Sequence, residues 1–343
     1  MKQYFSTFTT GFKDVINESL QKFLRDIHID LITDGVVIYR TNADMEQIKN
    51  LGFLNNSFIV IKYFNKLSNE PTKQMIKSVL SDPSIDNFIA SLFPHRRTTF
   101  RIIVKEDRIV PIDRNVLKKL EDKISRNTQL SVNRSLPQYE FWFLIRREGF
   151  GLFGVRITKR PNYEKTLEKG ELYPEFANIL CLISEPSAND VFLDPFAGSG
   201  SISLQRARVF MYKQIFAGDS DPKLVDKLRI KVKKSNPKII IGKWDALHLR
   251  TFQNESVHTI VTDPPWGLHS GTSLNLPKFY SEMLTEFHRV LKVKGLMIIL
   301  VAKKELFEEV LSKFKDKIEI EVKYDTLVSG QKAGVYKIRK IKS

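Results

Sequence analysis

From Pro174 onward, apolar strand-like runs alternate with amphipathic helical segments. Residues 191–193 read as a strand and residues 202–210 as a helix, and the same alternation continues to about residue 314. Helices at such regular intervals cover both faces of a parallel sheet. Two last strand-like runs, 319–324 and 334–340, predict a closing hairpin that adds an antiparallel edge. The sequence therefore predicts an α/β domain with a doubly wound sheet.

Carboxylates recur at the ends of successive predicted strands. Asp194 precedes a tight loop with Gly198 and Gly200, and Asp219 and Asp245 follow the next two strands at intervals of 25 and 26 residues. In a doubly wound sheet these strand ends lie side by side, where nucleotide-like ligands bind. The first acidic residue after the second strand can accept both ribose hydroxyls. The one after the third strand can bind an adenine amino group.

These residues also admit other interpretations. Asp221 competes with Asp219 for the ribose, but it precedes Pro222 and is better explained as a helix N-cap. The glycine loop lacks the Gly-Lys-Ser/Thr of a Walker loop and the full GxGxxG of a dinucleotide site. The histidines show no HExxH spacing, and no serine-centred elbow indicates a hydrolase.

A fourth predicted strand leads into Asp263-Pro264-Pro265-Trp266-Gly267. Proline has no N–H, so the Asp263 side chain and the Pro264 carbonyl remain as hydrogen-bond acceptors. They suit the exocyclic amino group of a base, on which Trp266 can stack. The structural alternative is a proline-rich loop in which Asp263 caps a backbone group and Trp266 packs in the core. The upstream glycine loop favours the functional interpretation.

DPFAGSG, Asp219, Asp245 and DPPWG, in this order, resemble the motifs of the Rossmann-fold, S-adenosylmethionine-dependent amino-methyltransferases. The resemblance implies a class I methyltransferase domain with a seven-stranded mixed sheet. The segment EKGELYPEFANIL resembles the stretch that closes over the cofactor. The cofactor-binding residues implied are Tyr173, Pro174, Asp194, Phe196, Ala197, Gly198, Gly200, Asp219, Asp245, Ala246 and Asp263. The catalytic residues implied at the target base are Asp263, Pro264 and Trp266.

The N-terminal half reads as two small α+β units. The order of its elements, with TTFRIIV, LKKLEDKI and QYEFWFLIRREGFGLFGVRITKRP, is similar to the THUMP-containing RNA methyltransferases. The resemblance implies an N-terminal ferredoxin-like domain in residues 1–63 and a THUMP RNA-binding domain in 64–160. A linker in 161–173 and the Rossmann-fold methyltransferase domain in 174–343 follow. A chain of 343 residues is long enough for several domains, because single cores stop growing at roughly 250 to 300 residues.

Positive charge is spread over both halves of the chain. The net charge of +16 divides into +9 for residues 1–160 and +7 for the rest. This distribution suits a nucleic-acid partner, whose phosphates release counterions on binding, although solubility alone is the alternative. Strand alternation favours a core role for Phe100, Phe141 and Phe143. The candidate RNA-binding residues are Arg96, Arg97, Arg101, Arg146, Arg147 and Lys159.

DPPWG most resembles the tRNA guanine-N2 methyltransferases. The implied reaction is methyl transfer from S-adenosylmethionine to the exocyclic N2 of a tRNA guanine, near the acceptor stem. Trp266 and the following LHSG depart from the tyrosine and nearby arginine of many relatives. N6 of adenine and guanine N2 in ribosomal RNA therefore remain alternatives, and a non-enzymatic RNA-binding protein is the alternative of another class.

The single cysteine, Cys181, excludes an internal disulfide and a multi-cysteine zinc site. Its apolar neighbours predict a small buried side chain rather than a nucleophile. The first residues lack the apolar stretch of a signal peptide, and no run of about 18 apolar residues suggests a membrane span. We therefore expect a cytoplasmic monomer that needs neither a membrane nor a metal ion.

Overall fold

The computed structural model describes residues 1–93, 98–105, 114–146, 148–158, 167, 170–235, 238–267 and 275–343, except for the side chains of residues 127, 234 and 235. The chain forms two compact units. The first comprises Met1–Thr7 and Asn17–Pro161, and the second comprises Phe8–Ile16 and Asn162–Ser343. The division of the chain into four parts, expected from the sequence, stays a prediction.

The first unit is built on an eight-stranded sheet with the order β2-β3-β1-β4-β8-β7-β5-β6. Strand β4 pairs antiparallel with β8, so the two α+β segments expected from the sequence contribute to one sheet. The strands are β1 Lys2–Thr7, β2 His28–Thr33, β3 Val36–Thr41, β4 Asn56–Phe64, β5 Thr98–Lys105, β6 Leu130–Val132, β7 Tyr139–Ile145 and β8 Gly151–Arg156.

Helices accompany these strands in the first half of the chain. They are α1 Lys13–Phe23, α2 Met45–Lys49, α3 Pro71–Ser81, α4 Ser84–Leu92 and α5 Arg114–Asn127. Helix α2 is short but begins with a capping box, in which the Asp44 side chain accepts from the Gln47 N–H and the Gln47 side chain accepts from the Asp44 N–H. The sequence did not predict β2, β6 or α2, because each is short and carries too few apolar residues to establish a period.

The aromatic residues of the first unit follow the alternation of their strands. Phe100, Phe141 and Phe143 are fully buried. The rings of Phe100 and Phe141 meet edge to face, with their centroids 5.3 Å apart. Trp142, between Phe141 and Phe143, is only partly buried and lies on the opposite face of the sheet. The core role predicted for the three phenylalanines is confirmed.

The second unit contains a seven-stranded sheet with the order β11-β10-β9-β12-β13-β15-β14. Its elements are α6 Pro174–Ile183, β9 Val191–Asp194, α7 Ser201–Val209, β10 Gln214–Asp219, α8 Pro222–Ser235, β11 Ile239–Lys243, β12 Val257–Thr262, α9 Leu276–Val290, β13 Leu291–Val301, α10 Lys304–Ser312, β14 Ile318–Val328 and β15 Gln331–Lys340. Strands β9 to β13 run parallel, whereas β15 is antiparallel to both β13 and β14. The mixed sheet and its closing hairpin are confirmed.

Helix α9 is the longest helix described in this unit, and its position explains how the site is supported. Tyr280, Met283, Leu284 and Phe287 are buried at helical spacing. They belong to the same core cluster as Met297 of β13. Helix α9 therefore packs on one face of the sheet and supports the region around the carboxyl ends of β9 and β12.

Candidate active site

The candidate site lies where the order of the parallel strands reverses. Strand β9 pairs with β10 on one side and with β12 on the other, so the chain leaves the sheet in opposite directions from these strands. Asp194 and Asp219 are the last residues of β9 and β10, and Asp263 follows the last residue of β12. The topology thus brings three carboxylates from distant parts of the sequence to one edge, at the switch point where α/β sheets bind ligands.

The loop after β9 depends on two glycines with positive φ. Gly200, at φ +91°, is the N-cap of α7, and a Cβ there would lie 2.4 Å from Leu228 Cδ1. A larger residue would have to displace the Leu228 side chain and adopt a positive φ, which favours glycine here. Gly198, at φ +52°, has no other atom of the described residues within 4 Å of the place where a Cβ would stand. A ligand can therefore approach the backbone closely at Gly198.

Asp194 is a fully buried carboxyl group. The Thr262 hydroxyl donates to its Oδ1 at 2.9 Å. Its Oδ2 is buried with no hydrogen-bond partner within the described residues. Burial raises the pKa of Asp194 to about 8, and the charges of Asp219 and Asp263 act in the same direction against the Thr262 bond. Oδ2 is thus an acceptor without a donor among the described residues, and a buried acceptor of this kind normally has one.

Asp219 ties the glycine loop to the next strand. Its Oδ2 accepts from the Gly198 N–H at 3.1 Å, and its Oδ1 accepts from the Asp221 N–H at 3.0 Å. Asp221 in turn accepts from the Lys223 N–H at 2.8 Å at the start of α8. The prediction that Asp221 is the N-cap of this helix is therefore confirmed, and Asp219 remains the carboxylate at the strand end.

Asp245 lies after β11, beside the buried Ala246. Its Oδ1 accepts from the Leu247 N–H at 3.0 Å, and its Oδ2 is 3.1 Å from His248 Nδ1. Partial burial opposes ionisation, but these two hydrogen bonds prevail and hold the pKa of Asp245 below its usual value. Its side chain is 57% exposed, so a ligand can reach the carboxylate from solvent.

The Asp263-Pro264-Pro265-Trp266 segment follows β12 directly. The indole Nε1–H of Trp266 donates to Asp263 Oδ1 at 2.7 Å. Burial raises the pKa of Asp263 to about 7, although this bond favours the ionised form. Pro264 is buried and Trp266 is half-buried. Trp266 is therefore hydrogen-bonded to Asp263, the carboxylate expected to bind the target base. The sequence predicted that Trp266 stacks on the base but did not predict this hydrogen bond.

The segment before α6 contacts the glycine loop. Tyr173 is the N-cap of α6 and Pro174 is its first residue. Just upstream, Glu171 Oε1 accepts from the Ser199 hydroxyl at 2.8 Å and from Lys231 Nζ at 2.6 Å. These bonds join the segment to the loop and to α8. The sequence placed Tyr173 and Pro174 near the cofactor but did not single out Glu171.

Phe196 and Thr262 support the site from beneath. The half-buried Phe196 packs on Phe279 and Phe287 of α9, with ring centroids 5.8 and 6.4 Å apart. Its N–H donates to Thr262 Oγ1 at 3.3 Å, so Thr262 bridges the loop and Asp194. Thr262 was missed at the sequence level, where its only signal was its position at the end of β12. Ala197 is buried, and its N–H donates to the Gly218 carbonyl at 2.8 Å.

The candidate RNA-binding residues are only partly described. Arg101 donates through Nε to Glu140 at 3.0 Å, and Arg146 donates to Glu148 at 2.8 Å. Both guanidinium groups therefore have acidic partners, which the sequence did not predict. The other candidates, Arg96, Arg97, Arg147 and Lys159, lie outside the described residues.

The donor and acceptor set fits a nucleoside cofactor that carries positive charge. Asp194 offers a buried acceptor, Gly198 leaves room for close approach, and Asp219 presents a carboxylate at the end of β10. Several carboxylates at one edge favour a cationic ligand. Cys181 is fully buried, and burial raises the pKa of its thiol, so the predicted buried role is confirmed and a nucleophilic role is excluded.

Metal-binding clusters and membrane-spanning helices are both absent from the described part of the chain. No group of three His, Cys, Asp or Glu side chains there has a geometry that could hold a metal ion. Among the same residues, no helix is both long and apolar enough to cross a membrane.

The sheet order and the glycine loop with its carboxylates define a class I methyltransferase fold. Residues 161–329 match the sequence model of the UPF0020 family, described as an RMKL-like methyltransferase domain. This part of the chain is therefore similar to the methyltransferase domain of that family. In its fold, the chain is similar to the crystal structure of TrmN from Thermus thermophilus, with a TM-score of 0.79 and 22% identity over 99% of this chain and 100% of that one.

The relatives found by sequence are named as methyltransferases that act on N2 of a tRNA guanine. A tRNA (guanine(6)-N2)-methyltransferase of Thermus thermophilus is 31% identical over 57% of this chain and 59% of its own length. A tRNA (guanine(10)-N2)-dimethyltransferase of Methanocaldococcus jannaschii is 22% identical over 78% of this chain and 81% of its own. This chain spans only 59% of the length of the Thermus relative. It spans 55% of the length of another relative, a tRNA (guanine(10)-N2)-dimethyltransferase of Methanothermobacter thermautotrophicus.

Proposed function

We propose that this protein transfers a methyl group from S-adenosylmethionine to the exocyclic N2 of a guanine in tRNA. The observation that carries the proposal is the convergence of Asp194, Asp219 and the Asp263-Pro264-Pro265-Trp266 segment at the switch point of a methyltransferase fold. The relatives named above support tRNA as the substrate and guanine N2 as the acceptor.

The cofactor would be held by the loop residues and strand-end carboxylates. When bound, it supplies a methyl group that is already activated by a positively charged sulfonium. Asp194 Oδ2 is the acceptor for a cationic group, Asp219 is the acceptor for ribose hydroxyls, and Asp245 binds the adenine amino group. The remaining wall is formed by Tyr173, Pro174, Phe196, Ala197, Gly198, Gly200 and Ala246, and Glu171 ties the upstream part of it to the loop.

The target base would be oriented by the segment after β12. Asp263 and the Pro264 carbonyl accept the N–H bonds of the amino group and direct its lone pair at the methyl carbon. An ionised Asp263 also stabilises the positive charge that develops on the nitrogen during transfer, and it can accept the proton that the methylated amine then releases. Stacking on Trp266 would hold the base after it leaves its helix, as base-modifying enzymes require.

Recognition of tRNA beyond the target base belongs to the N-terminal half. We assign it to a THUMP domain in residues 64–160 and to the basic residues Arg96, Arg97, Arg101, Arg146, Arg147 and Lys159. The two relatives differ in the position they modify, guanine 6 and guanine 10 by their names. Our proposal places the target near the acceptor stem, to which position 6 belongs. It also includes a monomeric state, a cytoplasmic location and a reaction without a metal ion.

The rate of methyl transfer by an Asp263→Ala variant tests the proposed site. We expect that purified protein with cofactor labelled in the methyl group will label tRNA, and that Asp263→Ala will lower the rate by at least about 100-fold, as loss of a charge-stabilising group does. Asp226→Ala is the matched control, because Asp226 is exposed on α8 and pairs with Arg229. If Asp263→Ala transferred methyl groups as fast as the wild type, the assignment of the base site would be wrong.

A further inference from the structure

Tyr280 carries a buried hydroxyl group that has no part in the proposed chemistry. Its side chain is fully buried in α9, and its ring packs edge to face on Phe307 with centroids 5.1 Å apart. The hydroxyl oxygen has no hydrogen-bond partner within the described residues. A phenylalanine would fill the same place without burying an unsatisfied polar group, which is destabilising. The hydroxyl is therefore a buried donor that a nearby acceptor could use.

The start of α9 lies next to the base-binding segment, and Tyr280 is one turn further along the helix. A Cβ on Gly267, the last residue of Asp263-Pro264-Pro265-Trp266-Gly267, would lie 3.0 Å from Leu276 Cδ1 at the start of the helix. Tyr280 is four residues after Leu276 and lies on the same helix face. Long side chains in a helix point back toward its N-terminus, which here is the end in contact with Gly267. The phenol group is thus directed toward the base-binding segment, and Asp263 is among the charges that act on it.

Trp266 makes a contact that competes with its expected role. Its indole N–H donates to Asp263 Oδ1 at 2.7 Å, which fixes the ring beside the carboxylate. A ring that turns to stack on a base releases Asp263 Oδ1, while the target amine donates to the other oxygen, Oδ2. A partly buried carboxylate oxygen without a donor is disfavoured. The Tyr280 hydroxyl is a buried donor that has no partner among the described residues.

We propose that Tyr280 is a positioning residue that replaces Trp266 as the hydrogen-bond donor to Asp263 when the target base occupies the site. Trp266 is then free to stack on the base, and Asp263 keeps the orientation in which it accepts from the target amine. The inference rests on the proposed function, since it assumes that a base binds between Asp263 and Trp266.

The electrostatics around Asp263 agree with this exchange. Burial, followed by the nearby charge of Asp263, raises the pKa of Tyr280 to about 12, so Tyr280 remains a protonated donor at neutral pH. The charge of Asp263 also raises the pKa of Asp194 at the end of β9, as does the charge of Asp219 at the end of β10.

A double-mutant cycle on the protein without substrate tests the exchange directly. The pKa of Asp263 would be measured by ¹³C NMR of carboxyl-labelled aspartate, assigned with Asp263→Asn, in the wild type, Trp266→Phe, Tyr280→Phe and the double variant. In Trp266→Phe, the Tyr280 hydroxyl donates to Asp263 in place of the indole, and this hydrogen bond limits the rise of the Asp263 pKa. We expect the rise in the double variant to exceed the sum of the single rises by about one unit, the size of one lost hydrogen bond to a charged group. Additive shifts would overturn the proposal.

Kinetics give a second measurement. Tyr280→Phe should lower kcat for tRNA methylation about 10-fold and leave the KM for S-adenosylmethionine unchanged, because the hydroxyl contacts the base side of the site. The matched control is Tyr336→Phe, which removes a hydroxyl from the same aromatic cluster that donates to Glu308 at 2.6 Å. Unchanged kcat in Tyr280→Phe, or an equal loss in Tyr336→Phe, would contradict the role of Tyr280. Failure of the wild type to methylate tRNA would instead contradict the proposed function, and the NMR cycle would still decide the exchange.

Discussion

At the scale of single residues, Asp194 combines full burial with an incomplete set of hydrogen bonds, an arrangement that a ligand can complete. Its carboxyl group is fully buried, one of its oxygens has no donor among the described residues, and its pKa is raised to about 8. Such a group costs stability in the free protein and is typical of functional sites, which trade stability for binding. A bound cation would satisfy the orphan oxygen.

The pH dependence of stability tests this account of Asp194. Its pKa in the folded chain lies above the unfolded value near 3.8, so the wild type loses stability as the pH rises from about 4 to about 8. Asp194→Asn does not titrate and can still accept from Thr262. We expect its melting temperature to exceed that of the wild type by a few degrees at pH 8 and by much less at pH 5. Asp226→Asn is the exposed control, and an equal difference at both pH values would contradict the prediction.

The pH dependence of catalysis is set by Asp263 in our account. Burial raises its pKa to about 7, and only the ionised form stabilises positive charge on the target amine. We therefore expect kcat for tRNA methylation to rise about 10-fold per pH unit below pH 7 and to level off above it. Asp263→Asn should be slow, with a rate that no longer follows this curve. A wild-type rate independent of pH between 5.5 and 8 would be inconsistent with the assignment.

At the scale of elements, the sequence predicted most of the second unit and the positions of its motifs. Periodicity located nearly every strand and helix there because long elements with one or two buried faces repeat their apolar residues. Helix α6 was not predicted as a helix, since its residues Phe176 to Cys181 are buried all round and show no polar face. The hydrogen bonds from Trp266 to Asp263 and from Ser199 to Glu171 were also missed, because side-chain direction is not encoded in spacing.

Two glycines with positive φ and open surroundings allow a matched test of the loop after β9. Gly198 and Gly330 both have positive φ and no atom near a Cβ position in the part of the chain that the structure describes, but Gly330 lies in the turn between β14 and β15. Each Gly→Ala change should cost about 1 kcal/mol of unfolding free energy, measured by urea denaturation, because alanine disfavours positive φ. Only Gly198→Ala should also reduce the thermal stabilisation by S-adenosylmethionine. If S-adenosylmethionine stabilised both variants equally, the cofactor would not bind against the backbone at Gly198.

At the scale of the whole molecule, the sequence predicted the α/β class but not how the first half assembles. Strand β4 pairs with β8 across about 90 residues of sequence, and local patterns carry no information about such partners. The first unit therefore has one eight-stranded sheet where the sequence suggested two small α+β segments. The excess of positive charge in both halves indicated a polyanionic partner before any site was known, with solubility alone as the alternative, and tRNA stays part of the proposed function.

Salt dependence tests the role of the basic N-terminal half. We expect tRNA affinity to fall steeply with salt, and the slope of log K against log salt to decrease by about 0.9 for each phosphate that the protein no longer neutralises. Arg96→Gln with Arg97→Gln should lower both affinity and slope while leaving cofactor binding unchanged. Lys22→Gln with Arg25→Gln removes the same charge from exposed positions in the first unit and serves as the control. Equal effects of the two pairs would assign the binding to net charge alone.

The most direct test of the central claim is mass analysis of tRNA nucleosides from cells with and without this protein, with the position mapped by fragment masses. Our account predicts that N2-methylguanosine disappears from one position of certain tRNAs when the protein is absent, and that purified protein with S-adenosylmethionine restores it. Loss of N6-methyladenosine, or of a methyl group in ribosomal RNA with tRNA unchanged, would contradict it.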